Sequence, residues 1–335
     1  MDILNALVVL ANFVIVPAIS YGAQLALGAL GVTLIYGILR FSNFAHGDTM
    51  AFGAMITVLG TWWLQGMGVG LGPLPTALLA LPVAIAVTSL LLLGTDRVIY
   101  RFYRRQRAAP VILVIVSLGV MFVMNGLVRF VIGPDDQRFA DGARFLVRAR
   151  EFREMTGLDE GLAIKSTSAL TVVVAVIVVA WLFWFLNRTR TGKAMRAFSD
   201  NEDLALLSGI EPERVVRITW IIVAALATIA GVLYGLDKSF KPFTYFQLLL
   251  PIFASAIVGG LGSPVGAIAG AFVIAFSEVG ITYAFKRVVD YALPFWEPDG
   301  LVQLLSTDYK LAVSFLILVV VLLFKPTGLF SGKVV

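Results

Sequence analysis

The chain reads as an all-α, polytopic bundle of about 8–10 membrane segments, some of them broken or re-entrant. Three observations predict this. Of the 335 residues, 59% are hydrophobic and 14% charged, against roughly 25% charged in an average soluble domain. The apolar residues fall in long runs such as "TVVVAVIVVAWLFWFL" and "LAVSFLILVVVLLF", and the mean hydropathy is +0.92. Such runs approach the ~20 residues a helix needs to cross about 30 Å of hydrocarbon. The third observation is the lack of the ten-residue segments of alternating polarity that mark a transmembrane β-barrel.

Ten apolar stretches stand near residues 3 to 19, 20 to 39, 50 to 66, 76 to 95, 111 to 133, 167 to 187, 217 to 236, 246 to 262, 266 to 285 and 310 to 324. Only Asp2 precedes the first, so it lacks the basic leader of a secretory signal and is expected to stay as a membrane segment. Residues 1–335 are read as a single membrane domain. No cysteine is present, which excludes disulfides, thiolate catalysis and sulfur-ligated metal sites. One histidine leaves few ligands for a catalytic metal, and no residue pattern marks a cofactor or metal site.

Orientation follows from basic residues. Arg97, Arg101, Arg104, Arg105 and Arg107 crowd one short connector, which the positive-inside rule places in the cytoplasm. Arg188, Arg190, Lys193 and Arg196 mark a second cytoplasmic loop, 188–216, two spans later. The loop 134–166, with six Lys or Arg and seven Asp or Glu, then lies outside by parity. With ten spans both termini fall inside, Lys325 and Lys333 flanking the last; a nine-span count, with the first stretch lying in the interface, puts the N-terminus outside. The net charge of +5 is accounted for by this inner face, and no basic stripe interleaved with aromatics supports a nucleic-acid partner.

The segment "RTGKAMRAFSDNEDLALLSGIEPERVVRI" holds a short helix outside the membrane. Ser199 or Asp200 is expected to cap it, with Glu202 and Asp203 in the first turn, where the helix dipole favours negative charge. It carries Leu204, Leu206, Leu207 and Ile210 and ends near Gly209, suited to a left-handed C-terminal cap. A short amphipathic helix of this kind fits a groove on another protein or lies on the bilayer.

Two Gly-rich interruptions occur within apolar sequence. "GILRFSNFAHG" contains Asn43, His46 and Gly47; "GGLGSPVGAIAG" contains Gly259 and Gly260. Broken segments of this type point to a translocation path, because unwound backbone is tolerated only inside protein or beside a cavity. Asn43 or Asp48 is expected to satisfy backbone groups at the start of the next helix, and Gly47 to permit the turn. His46 reads as a hydrogen-bonding member of this break, the alternative being a proton carrier. Glu278 lies mid-way along an apolar run and is either a path residue or a structural pair, for instance with the 259 to 263 break. Gln24 and Asn125 are lesser path candidates.

Four stretches, "GVTLIYGILRFSNFAHGDTMAFGA", "RTGKAMRAFSDNEDLALLSGIEPERVV", "VGGLGSPVGAIAGAFVIAFSE" and "LSTDYKLAVSFLILVVVLLFKPTG", resemble, in order and spacing, the permease subunits of bacterial branched-chain amino acid ABC importers, the LivH type above all. That resemblance implies an inner-membrane permease moving leucine, isoleucine, valine or related amino acids. Its implied partners are two ABC ATPase subunits, a homologous LivM-type second permease or a second copy, and a periplasmic substrate-binding protein. It also implies that the Asp200–Gly209 segment couples to the ATPase. "DLALLSG", Asp203 to Gly209, resembles the degenerate "EAA" pattern, with Asp for Glu and Leu for the first Ala. Neither Gly-Lys pair stands in a GxxxxGK[ST] loop, so ATP and Mg are expected on the partner subunits and none in this chain. Permeases for urea or short-chain amides are the nearest alternative, and an autonomous secondary transporter is the other.

Overall fold

In the computed structural model, residues 2–293, 295 and 298–330 are described; Lys333 lies outside them. The first element is one continuous helix, α1 (Asp2–Leu39), not two spans. The apolar run from 3 to 39 contains no cap or turn to divide it, and its 38 residues extend for ~57 Å. Pro17 lacks an N–H and would crowd the Phe13 carbonyl in a regular helix. A five-residue π segment, Ala11–Ile15, takes up that mismatch.

There follow α2 (His46–Gly66) and α3 (Ala77–Arg105), the latter with a π segment at Asp96–Tyr100. Next is α4 (Pro110–Ile132), which opens on proline, where the missing N–H is not needed. A small outer unit comprises strand β1 (Phe145–Val147), helix α5 (Ala149–Thr156) and strand β2 (Ile164–Lys165), with β1 and β2 antiparallel. Then come α6 (Ser166–Arg188), α7 (Arg190–Asp200), α8 (Glu202–Leu207), α9 (Pro212–Lys238), α10 (Pro242–Gly259) and α11 (Pro264–Thr282). A short α12 (Lys286–Ala292) and α13 (Lys310–Phe324) complete it.

Among the described residues, eight helices are long and apolar enough to cross a membrane: α1, α3, α4, α6, α9, α10, α11, and α13 with the turn preceding it. The 21-residue α2 is also long but more polar. Helices α1 and α9 are buried along most of their length and form the centre, with α2, α3, α10 and α11 around them. Glycines at the crossings draw the backbones together. A Cβ on Gly28 would lie 2.7 Å from Ile252 of α10, and one on Gly22 would lie 2.7 Å from Phe272 of α11.

The bundle has two faces. On the basic one lie Arg40, the arginine connector, the 188–211 segment, the α10–α11 turn and residues 327–330, whose Leu329 and Phe330 amides bond to the carbonyls of Val258 and Gly259 at 2.8 and 3.1 Å. On the opposite face Asn5 donates to Asp159 at 3.2 Å and accepts from the Glu160 amide at 3.2 Å. The described N-terminal end therefore sits with the 134–166 loop, and the two described ends lie on opposite faces. The ten-span count, with both termini on the basic side, is corrected by the merger of the first two stretches into α1.

Candidate functional site

The interrupted stretch after α1 is a limb that enters the bundle from the basic face. Arg40 ends α1 in the left-handed region, φ 58°, and its guanidinium donates to the Ser199 carbonyl. The chain then turns inward, with Phe41, Asn43 and Ala45 buried. Asn43 Oδ1 accepts from the Ala45 amide at 3.1 Å and from Tyr100 Oη at 3.3 Å. The Phe44 amide donates to Ser117 Oγ at 3.1 Å. Ser117 is about 10 Å along α4 from its basic-face end, so the limb descends well below that face before α2 begins. Phe41 tilts against Tyr100 at 5.4 Å and Tyr100 stacks on Trp220 at 5.3 Å, and Asp96 takes hydrogen bonds from Trp220 Nε1 at 2.8 Å and Arg104 at 2.5 Å. This network fastens the limb to α3 and α9.

At the tip of the limb sits His46, fully buried. Its ring fills the notch left by Gly31 of α1, where an added Cβ would lie 2.5 Å from His46 Cε1. Neither imidazole nitrogen makes a well-aligned hydrogen bond among the described residues, the Gly28 backbone being the polar group beside the ring, while the His46 amide donates to the Asn43 carbonyl at 3.3 Å. His46 is thus a hydrogen-bonding member of the break, as expected, through its backbone amide, and its ring adds shape by filling the Gly31 notch. Of the two residues expected to serve the backbone, Asn43 does so at the Ala45 amide, and Asp48 Oδ1 instead accepts from Asn125 Nδ2 at 2.7 Å, joining α2 to α4. Gly47 is not the left-handed residue; Arg40 is. Gly47 instead lets α10 approach, since a Cβ there would be 2.7 Å from the Tyr245 carbonyl. Gln24 is buried on the same stripe of α1 as Gly28 and Gly31.

Gly259 and Gly260 do not form a second limb. They make the turn between α10 and α11 on the basic face, where Gly259 meets Gly266 backbone to backbone and Gly260 has φ 112°. Glu278 lies at the other end of α11, out of reach of that turn. It is fully buried, accepts from Ser314 Oγ and faces Lys310 Nζ at 3.3 Å. Lys310 also sits 3.8 Å over the Tyr21 ring. The carboxylate therefore ties α13 to α11 and α1, and the suggested partnership with residues 259 to 263 is corrected. The signal for Lys310 was in the sequence, as a buried carboxylate calls for a cation and Lys310 opens the last apolar run.

On the basic face, α7 and α8 form an elbow. The N-cap of α8 is Asn201, whose Oδ1 accepts from the Leu204 amide at 3.0 Å, rather than Ser199 or Asp200. Asp200 ends α7, and Ser199 Oγ donates to the Gly37 carbonyl at 3.0 Å. Glu202 and Asp203 occupy the first turn, and Gly209, φ 79°, closes the helix by donating to Leu206 at 3.0 Å. Ala205 points inward, whereas Leu204, Leu206 and Leu207 are 60%, 45% and 85% exposed. A cavity of about 180 Å³ lined by Gly37, Arg196, Ser199, Asp200 and Gly262 among others lies beside the contact of α7 with the bundle. Sequence reading missed the contact of Ser199 with Gly37 and Arg40, which joins the elbow to the limb.

The sequence is similar over nearly its whole length to transport permeases. It is 29% identical over 315 residues to the high-affinity branched-chain amino acid transport system permease protein LivH of Escherichia coli (strain K12), covering 93% of this chain and 92% of that one. With BraD of Pseudomonas aeruginosa, described in the same words, identity is 30% over 317 residues and 94% of each chain. A probable LivH of Methanocaldococcus jannaschii is 27% identical over 93% of this chain and 90% of its own. The family model described as branched-chain amino acid transport system / permease component matches residues 14–322. With its array of apolar helices, the chain is a multi-pass membrane protein and belongs to the family of branched-chain amino acid transport permease components.

Proposed function

We propose that this chain is the membrane-spanning subunit of an ATP-driven importer for leucine, isoleucine, valine or related amino acids in a bacterial inner membrane. ATP and Mg are handled by two separate ATPase subunits, and a second permease, LivM-type or another copy, completes the pore. A periplasmic binding protein delivers substrate at the face formed by residues 134–166 and its neighbours. The observation that carries this reading is the α7–α8 elbow. Three leucines stand exposed on a helix too short to cross a membrane, yet capped at both ends and joined to the bundle interior. An autonomous carrier has no need of such an element.

The mechanism follows the covalent and hydrogen-bonded connections. Closure of the ATPase pair moves α8, and with it α7. Ser199 transmits the displacement to Gly37 and Arg40 at the end of α1. Arg40 is the root of the limb carrying Asn43, His46 and Asp48 into the bundle centre, so a shift at the elbow re-seats His46 against Gly31. On the other side α8 leads through Gly209 and Ile210 directly into α9, the most buried helix among the eight candidate spans. Alternation between faces is then a movement of α1, α2 and α9 relative to one another.

The elbow is tested by Leu206→Asp and Gly209→Pro. Burying a leucine stabilises by ~1.5–3 kcal/mol, so the Asp variant weakens ATPase docking by at least tenfold while the bundle still inserts. Proline cannot adopt φ 79° or supply the N–H that bonds Leu206. Each variant separates ATP hydrolysis from uptake; normal coupled uptake in both would remove the elbow from the mechanism.

A further inference from the structure

The transport reading makes no use of the arginines that extend α3. Its 29 residues extend for ~43 Å, beyond the ~30 Å hydrocarbon core. Measured from Ala77, the hydrocarbon thickness is reached near Arg97, so the last two turns lie at headgroup level. One exposed stripe runs along the whole helix. It begins with Val83, Ala86, Leu90 and Gly94, all exposed and apolar, and continues into Val98 and Phe102, 76% and 55% exposed, interleaved with Arg97, Arg101 and Arg105. The π segment at Asp96–Tyr100 adds a residue to the turn and keeps this four-residue spacing on one side.

The charges on the stripe are not balanced. Arg104 pairs with Asp96 at 2.5 Å and Arg101 Nε with Glu213 at 3.3 Å. Among the described residues Arg97 and Arg105 have no ion pair, and with Val98, Arg101, Phe102 and Gln106 they line a shallow, open hollow of about 480 Å³ along one face of α3. A basic hollow placed where an apolar stripe leaves the hydrocarbon has the shape and charge order of a phospholipid, acyl chains below and phosphate above.

We propose that Arg97, Arg101 and Arg105, interleaved with Val98 and Phe102 and with the apolar stripe of α3 beneath them, form a seat for one anionic phospholipid of the inner leaflet. The diester phosphate lies among the guanidinium groups, and an acyl chain follows Leu90 and Val83. Because Arg101 also holds Glu213 in the first turn of α9, directly after the elbow, the lipid supports the segment through which coupling is read. Charge order selects the occupant: an ATPase surface would meet the arginines but has no use for the apolar stripe continuing into the bilayer.

Native mass spectrometry of the detergent-purified full chain tests this, with phosphatidylglycerol, phosphatidylcholine and soluble glycerol 3-phosphate offered separately. Phosphatidylglycerol is retained as a single adduct, and Arg97→Gln with Arg105→Gln weakens it roughly thirtyfold, from about 1 kcal/mol per basic residue near an anionic surface. Arg97→Lys with Arg105→Lys keeps the charge and holds affinity within about threefold. Arg148→Gln with Arg150→Gln, on the opposite face, leaves it unchanged. Equal retention of phosphatidylcholine would overturn the proposal, as would unchanged affinity in the Gln pair. Full competition by glycerol 3-phosphate would make this a site for free phosphate esters instead. Loss of ATPase assembly in the Gln pair at unaltered lipid affinity would make it a protein-docking surface.

Discussion

Replacing Gly31 with alanine places a methyl group against the tip of the limb. The new Cβ lies 2.5 Å from His46 Cε1 and 3.0 Å from Nε2, whereas carbon atoms settle at about 3.5–4.0 Å. The shortfall is about 1 Å, and the ring has nowhere to retreat. His46 is fully buried, and the next residue, Gly47, is already so close to α10 that a Cβ there would be 2.7 Å from the Tyr245 carbonyl. Overpacking of this kind costs about 1–3 kcal/mol. The assay is SDS-induced unfolding in mixed micelles for Gly31→Ala, His46→Ala and the double variant. In the parent background Gly31→Ala loses about 1–3 kcal/mol; with His46 cut back to alanine, the same change costs less than about 0.5 kcal/mol, because the methyl group occupies the space the ring has left. Equal cost in both backgrounds would refute the notch, as would no cost in either.

Two further outcomes follow from the same geometry. Glu278→Ala removes the carboxylate facing Lys310, whose side chain is 33% exposed. It is expected to destabilise by about 1–3 kcal/mol, below the full cost of stranding a buried charge, while Glu278→Leu with Lys310→Met recovers most of that loss in the same unfolding assay. Outside the membrane segments, burial raises the Asp141 pKa, but hydrogen bonds from the Thr76 hydroxyl, Gln65 and the Thr76 amide outweigh it and hold the carboxyl below its usual range. The folded value is lower than the unfolded one, so this contact stabilises the outer loop above about pH 4 and its contribution is lost as pH falls through the folded pKa. Limited proteolysis of the 134–166 loop therefore rises on acidification, and Asp141→Asn removes that part of the pH dependence.

Apolar run length located most of the helices, and α4, α6 and α13 begin and end within a residue of the expected stretches. It failed at α1 because run length counts spans without asking what would divide them; a π segment before Pro17 lets one helix absorb what resembles two. The limb at 40–45 was visible as polar residues in apolar sequence, but its depth was not, since that depends on partners in α3, α4 and α10. Asn201 was legible, being among the strongest N-cap residues and placed directly before two acids. The shape role of His46 was not, because the glycine that receives it is fifteen positions away on another helix. Glu278 was read as a candidate partner of the 259 to 263 break; the length of α11 between that turn and Glu278 keeps them apart.

The central claim is that ATP hydrolysed elsewhere reaches the interior of this chain through α8. Proteoliposomes holding the chain with its second permease and ATPases, supplied with a loaded binding protein outside and ATP inside, test it most directly. Leucine accumulation that requires ATP and disappears in Leu206→Asp is the expected result; accumulation by the chain alone, driven by an ion gradient without ATP, would contradict it.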